Sequence, residues 1–428
     1  MSGTRLLLVA WVVMSFADGY RLGSYAHVTV ALMTVAVVLL TAPALAPERF
    51  PLLRPSKAEL VAALVAVTVC YPAATVIPAT HNNLSKGPAI LLTGLVVALV
   101  CVPFRAAPRA LGAAVVVASG LLAGLFMISE DPNPHIDVWF LTQGAADSIV
   151  HGFDMYQGHW PGSGGIKDGF PYLPGVGLLL APFRLVGLDV RHGMLLAALL
   201  AALVVWRLAP SPVGPLLAVM ILAVPGWPVL IDFAWTEPIL LLPLVLVFVF
   251  LRQGRPTWAL VAFAVALATK QHVLLLCPVL AAWPAFGLRR VVIATAGAGL
   301  VTLPWFLVGP HHFLDGALWL NLNLAPRKDS LSLFTLAMEQ GWRPPFALVG
   351  GLTLMAIAAV VLVLRRGAGA PVVALGCAWV LAVFHLANKQ SFYNEWWLVI
   401  TLIVVALALT GQSAKIEEPQ RAEQAALA

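Results

Sequence analysis

Apolar residues run in bilayer-length stretches along the whole chain, at about 5–19, 24–46, 58–78, 88–104 and 110–128 before the first long polar interruption. A stretch near 20 apolar residues can cross a hydrocarbon core as a helix, and these runs are too long for barrel strands. The pattern predicts an all-α, polytopic transmembrane helical bundle. Residues 130–175 interrupt it. That stretch carries Glu130, Asp131, Asp137, Asp147, Asp154 and Asp168, six of the chain's 19 acidic residues, against one basic residue, Lys167. Beyond Pro134, the positions Val138, Leu141, Ala145 and Ile149 recur at helical spacing, predicting an amphipathic helix along the membrane surface. Asp137 falls in its first turn, where the helix dipole favours an ionised carboxylate. Gly144, two turns on and on the same side, leaves room for a ligand.

Segment 172–187 reads as a return across the bilayer to the Asp189-Arg191-His192 turn, and 193–208 as the next crossing. The run 212–231 holds Pro212, Pro215, Pro225, Gly226 and Pro228. Reading it as re-entrant or broken keeps the charges of all later loops on consistent sides. The run 257–285 breaks at Lys270-Gln271-His272 into halves of about 13 residues, roughly 20 Å each, which sets the tripeptide in a recess. Segment 291–308 leads to a second large loop, 310–343. Segments 345–364, 371–387 and 395–411 complete about 12 to 14 crossings. Basic residues in the connections at 48–57 and 105–109, with Arg252, Arg255, Arg289, Arg290, Arg365 and Arg366, mark the cytoplasmic side. The acidic loop then belongs outside, and 412–428 reads as a disordered cytoplasmic tail.

Composition agrees. The chain is 61% hydrophobic and 10% charged, where a soluble globular chain has about 25% charged residues. The net charge of +6 does not point to nucleic acid, because the basic residues flank apolar segments. Cys70, Cys101, Cys277 and Cys377 sit inside apolar runs without CxxC spacing and read as packing residues. His135, His151 and His159 lack the spacing of a zinc site with a third ligand. A charge at membrane depth is a functional hypothesis by default. Lys270 is the clearest case, and Lys389 in LANKQSFYNEWW repeats it at another helix end.

Several short elements follow one another in order: Asp137 in the first large loop, Gly152-Phe153-Asp154-Met155-Tyr156, Phe170-Pro171-Tyr172-Leu173-Pro174, Thr236-Glu237-Pro238, Ala268-Thr269-Lys270-Gln271 and Phe392-Tyr393-Asn394. The series resembles the polytopic GT-C glycosyltransferases, most nearly their family eighty-seven, the polyprenyl-phosphate-mannose-dependent mannosyltransferases. The resemblance covers a membrane domain at 105–411 and leaves 1–104 outside it as N-terminal extra transmembrane segments. It implies an inverting transfer of a sugar, mannose first, from a polyprenyl-phosphate donor to a glycolipid or polysaccharide acceptor outside the cytoplasmic membrane. Asp137 would be the base. Lys270, His272, Arg327, Lys328 and Lys389 are candidates to hold the donor phosphate. Asp131, Tyr156, Tyr172, Glu237, Gln271 and Tyr393 are candidates to contact sugar or acceptor, with Asp131 or Glu237 able to position hydroxyls or a divalent ion. The resemblance leaves a metal requirement open. No Gly-rich nucleotide-binding loop is present, which argues against a nucleotide-sugar donor. The competing reading, a flippase or transporter of lipid-linked sugars, would string its charges along a path through the bundle instead of gathering them at one face.

Overall fold

The computed structural model describes residues 2–20, 25–75, 86–101, 106–163, 165–210 and 212–410. Among them there are helices and one isolated bridge, His159 to Asp168, but no strand. The tail at 412–428 lies outside the described residues. Five helices follow the first five apolar runs: α1 (Gly3–Gly19), α2 (His27–Leu45), α3 (Lys57–Thr75), α4 (Lys86–Cys101) and α5 (Ala106–Glu130). Arg5 Nε meets Glu59 Oε1 at 2.7 Å, joining the start of α1 to the start of α3. Lys86 Nζ lies 4.0 Å from Glu130 Oε2, joining the start of α4 to the end of α5. Small residues let these helices approach closely, as packing between apolar helices in lipid requires; a Cβ at Gly94 of α4 would overlap the Ser119 side chain of α5.

The polar stretch then folds at the Glu130 end as α6 (Asp137–His151) and α7 (Gly175–Leu185). Here the structure corrects the reading of 172–187 as a crossing. Helix α7 has 11 residues, about 16 Å of rise, too short to traverse the bundle. Gly187, at φ 76°, turns the chain back. Arg184 Nε reaches Asp147 Oδ1 of α6 at 2.7 Å, and Asp189 accepts from Trp139 Nε1 at 2.9 Å. The Asp189–His192 turn therefore sits beside Asp137, not at the opposite end.

Helix α8 (Arg191–Leu208) leaves from this end. The proline-rich run is interrupted, as two buried pieces, α9 (Gly214–Leu222) and α10 (Trp227–Asp232), but it is not re-entrant: it leads from Leu208, which accepts from Arg252 at the far end, back to Asp232 beside Arg191, so with 172–187 no longer a crossing this run supplies one. Helices α11 (Glu237–Arg252) and α12 (Pro256–Leu267) go out and back. A 3-10 turn at Gln271–Leu276 runs into α13 (Cys277–Ala282), and α14 (Gly287–Val308) follows. The second large loop contains α15 (Pro310–Leu314), a π turn at Asp315–Leu320, α16 (Asn321–Asn323) and α17 (Leu333–Glu339). Last come α18 (Phe346–Leu364), α19 (Ala370–Ala387) and α20 (Tyr393–Leu409).

Six of the described helices are long and apolar enough to cross a membrane: α2, the Ala110–Glu130 part of α5, α8, α14, α18 and α19. The chain is a membrane-embedded helical bundle. Apart from Thr401, helix α20 is apolar all round from Trp396 to Leu409, and every residue there is buried, the mark of a central helix. Helix α14 is the reverse, presenting Leu288, Val292, Leu300, Leu307 and Val308 outward. Helix α1 packs against α20 and α2 against α19, so helices α1 to α4 share one core with the rest.

Candidate functional site

Asp137 is the first residue of α6. Ile136, extended at φ −134° and ψ 138°, precedes it. Its carboxylate lies where the unpaired amides and the positive dipole end of a 15-residue helix favour negative charge. Oδ1 accepts from the Val138 amide at 2.9 Å and Oδ2 from the Ile166 amide at 3.3 Å. The loop can come this close because residue 165 is glycine; a Cβ there would overlap Oδ2. The space predicted beside Gly144 does not serve a ligand. The Trp160 ring fills it, with its Nε1 donating to Gly169 O at 2.8 Å.

A buried network holds α6 in place. Arg191, 1% exposed, grips both oxygens of Asp189 at 3.0 Å and donates to Asp131 O at 2.9 Å. Longer bonds of 3.4 Å reach Ile128 O and Asp232. The ends of α5 and α10 and the start of α8 thus meet at one guanidinium, and Asp189 passes the restraint to Trp139, two residues from Asp137. Burial alone would raise the Asp189 carboxyl, but Arg191 and the hydrogen bonds win and hold it below its ordinary value.

Opposite Asp137, two loops recognised in the sequence lie side by side. The Leu173 amide donates to Thr269 O at 3.1 Å, the Gly175 amide to Ala268 O at 2.8 Å, and Gln271 Nε2 to Pro171 O at 2.9 Å. This pairing holds Lys270 in extended backbone between α12 and the 3-10 turn, 6% exposed. Its Nζ meets Glu237 Oε1 at 2.5 Å and lies 5.2 Å from the centre of the Tyr172 ring. Burial, then the charges of Asp137, Glu237 and Glu395, push the Tyr172 hydroxyl well above its ordinary value.

These groups open into one cavity of about 1090 Å³. Of the predicted residues, Asp137, Lys270, Gln271, His272, Tyr172, Arg327, Lys328 and Tyr393 line it. Glu237 stands directly behind Lys270 and is wholly buried. Three predicted residues have other duties. Tyr156 is buried, its hydroxyl donating to Tyr172 O at 2.9 Å. Lys389 ties loops together, its Nζ donating at 2.6 Å to both Leu322 O and Leu324 O. Asp131 contributes its backbone carbonyl to Arg191 and does not line the cavity.

At the rim, Arg327 forms a two-bond pair with Asp329, at 2.9 and 2.6 Å, and its guanidinium lies 4.7 Å from the Phe392 ring centre. That pairing raises the Arg327 value; for Asp329, burial pulls upward but the arginine holds it below its ordinary range. Lys328 has no ion-pair partner among the described residues. Sequence reasoning missed Glu395, Asn321 and Tyr25, and gave no role to Asn394 within its motif; all four line the cavity. The signal for Glu395 was one step away, in the run beginning Tyr393-Asn394. Tyr25 comes from the N-terminal segments, anchored by its hydroxyl to Glu339 at 2.7 Å. Among the described residues, no group of three His, Cys, Asp or Glu side chains is arranged to hold a metal ion.

Comparison of the chain with family models, with curated proteins and with solved structures finds no match in any of the three.

Proposed function

We propose that the protein is an inverting glycosyltransferase that moves a sugar, mannose first among candidates, from a polyprenyl-phosphate donor to an acceptor hydroxyl. The observation carrying this reading is the shared cavity: one carboxylate at a helix N-terminus, Asp137, opens into the same space as the cations Arg327 and Lys328 at one end of an apolar bundle. In this scheme the acceptor O–H proton goes to Asp137 as the acceptor oxygen bonds to the anomeric carbon. The bond from that carbon to the phosphate oxygen breaks, and its electron pair leaves with the lipid phosphate. Inversion follows because nucleophile and leaving group occupy opposite faces of the carbon. The leaving group keeps its charge, so fixed cations suffice and no acid is required. The apolar helices suit a prenyl tail in the bilayer, and a glycolipid or polysaccharide acceptor reaches the same cavity from outside.

Arg207, Arg252, Arg289, Arg290, Arg365 and Arg366 lie at helix ends facing away from the cavity. Their excess supports a cytoplasmic position for that end and an extracytoplasmic one for the site. The test is transfer by purified protein from a panel of polyprenyl-phosphate sugars, followed as release of free lipid phosphate. Asp137→Asn is expected to keep the fold and donor binding and to lose about 10²–10⁴-fold in rate. Full retention of transfer in that variant removes Asp137 from the role of base. Translocation of lipid-linked sugar without transfer, unaffected by Asp137→Asn, would replace the reading with a flippase.

A further inference from the structure

The inner end of the cavity gathers several hydrogen-bond acceptors beside Lys270 and the His272 ring, with His385 Nδ1 3.9 Å from Glu395 Oε2. Glu395 lines it with its side chain 18% exposed. One carboxylate oxygen is fixed by the Phe392 amide at 2.7 Å. Beside it Asn394, 6% exposed and also lining the cavity, has its side-chain carbonyl without a partner. Behind them Glu237 uses one oxygen for Lys270, and its second oxygen is buried and unpartnered. The Tyr393 hydroxyl, 3% exposed, is likewise unpaired. Lys270 is the one lysine or arginine among these groups, and Glu237 already pairs with it. Buried acceptors left open are costly and call for an occupant that brings donors. A phosphate brings acceptors only and would add negative charge beside two carboxylates. Sugar hydroxyls bring donors and no charge.

We propose that this inner end, around Glu395, Asn394 and the Glu237–Lys270 pair, is a subsite for the hydroxyls of a neutral sugar, and that the phosphate sits at the rim with Arg327 and Lys328. The proposal rests on the glycosyl-transfer reading for the identity of the ligand and on the unpaired acceptors for its place. The donor would therefore enter sugar first, with its lipid phosphate outermost. Lys270 then orients Glu237 and does not carry the anion.

The test is binding, so that it stands apart from turnover. Full-length protein in detergent is titrated with octyl α-mannoside, which has no phosphate, and with decaprenyl phosphate, which has no sugar. Glu395→Gln keeps an acceptor for the Phe392 amide while removing the charge. It is expected to weaken octyl mannoside at least tenfold and to leave decaprenyl phosphate within twofold. Arg327→Gln with Lys328→Gln should do the opposite. The proposal is overturned if Glu395→Gln weakens decaprenyl phosphate instead, if it changes neither probe, or if wild-type protein does not bind octyl mannoside. If both binding patterns hold while wild-type protein releases no lipid phosphate from any donor, the subsite stands and the transfer reading fails.

Discussion

Arg191 and Lys270 are both buried cations at the same end of the bundle, yet only Arg191 is saturated with partners. Its guanidinium donates to two carboxylates and to three backbone carbonyls. Lys270 meets one carboxylate oxygen and the face of Tyr172, and the other oxygen of Glu237 stays buried and unpaired behind it. Fully satisfied buried charge fixes a structure, whereas partly satisfied charge is costly unless something else arrives. The first cluster therefore reads as the brace for α6, and the second as a surface waiting for ligand.

Four single substitutions and two double variants test that contrast. Arg191→Met strands Asp189 and Asp232 and should cost the most stability, about 3–5 kcal/mol, measured by thermal unfolding in detergent. Adding Asp232→Asn should not restore it, because Asp189 still lacks its cation. A loss below about 1 kcal/mol would contradict the bracing role. Lys270→Met should cost less, about 1–3 kcal/mol, because it strands one carboxylate instead of two. Combining it with Glu237→Gln should recover most of that stability and none of the transfer activity. Gly165→Ala should barely touch stability, but it displaces the Asp137 carboxylate, and transfer should fall up to about 10²-fold. The smallest effect belongs to the exposed Arg327–Asp329 pair, where Asp329→Asn should cost under about 1 kcal/mol. Because the folded Asp329 value is depressed, its contribution is present above the unfolded carboxylate range and lost as pH falls through the folded value. The difference between wild type and variant should fade on acidification, and a difference that grows instead would point to another cause.

Much of this was readable from the chain because its signals are local. Pro134, the apolar spacing after it and the acidic first residue announce α6 and the position of Asp137. The Pro225-Gly226 break and the Lys270 recess follow from residue types within a few positions. What could not be read is pairing between distant segments. Arg191 looked like an ordinary turn charge because nothing nearby says that Asp232, 41 positions on, folds against it. The 172–187 run looked like a crossing because its hydrophobicity does not reveal that Gly187 turns it back onto α6. Gly144 looked like an opening because the ring that fills it, Trp160, lies in a loop without periodicity. Glu395 was hidden for another reason: an acid in the first turn of an apolar helix is ordinary, and only the cavity distinguishes it.

The seat of α1 against α20 has a consequence for how the protein is made. These helices are neighbours in space but nearly the whole chain apart, so α1 emerges from the ribosome long before its partner is synthesised. At roughly 5–20 residues per second, the delay is on the order of tens of seconds. Throughout it, the face of α1 bearing Trp11, Met14 and Asp18 has lipid or the insertion machinery for company, and the central slot of the bundle closes only once α20 has followed.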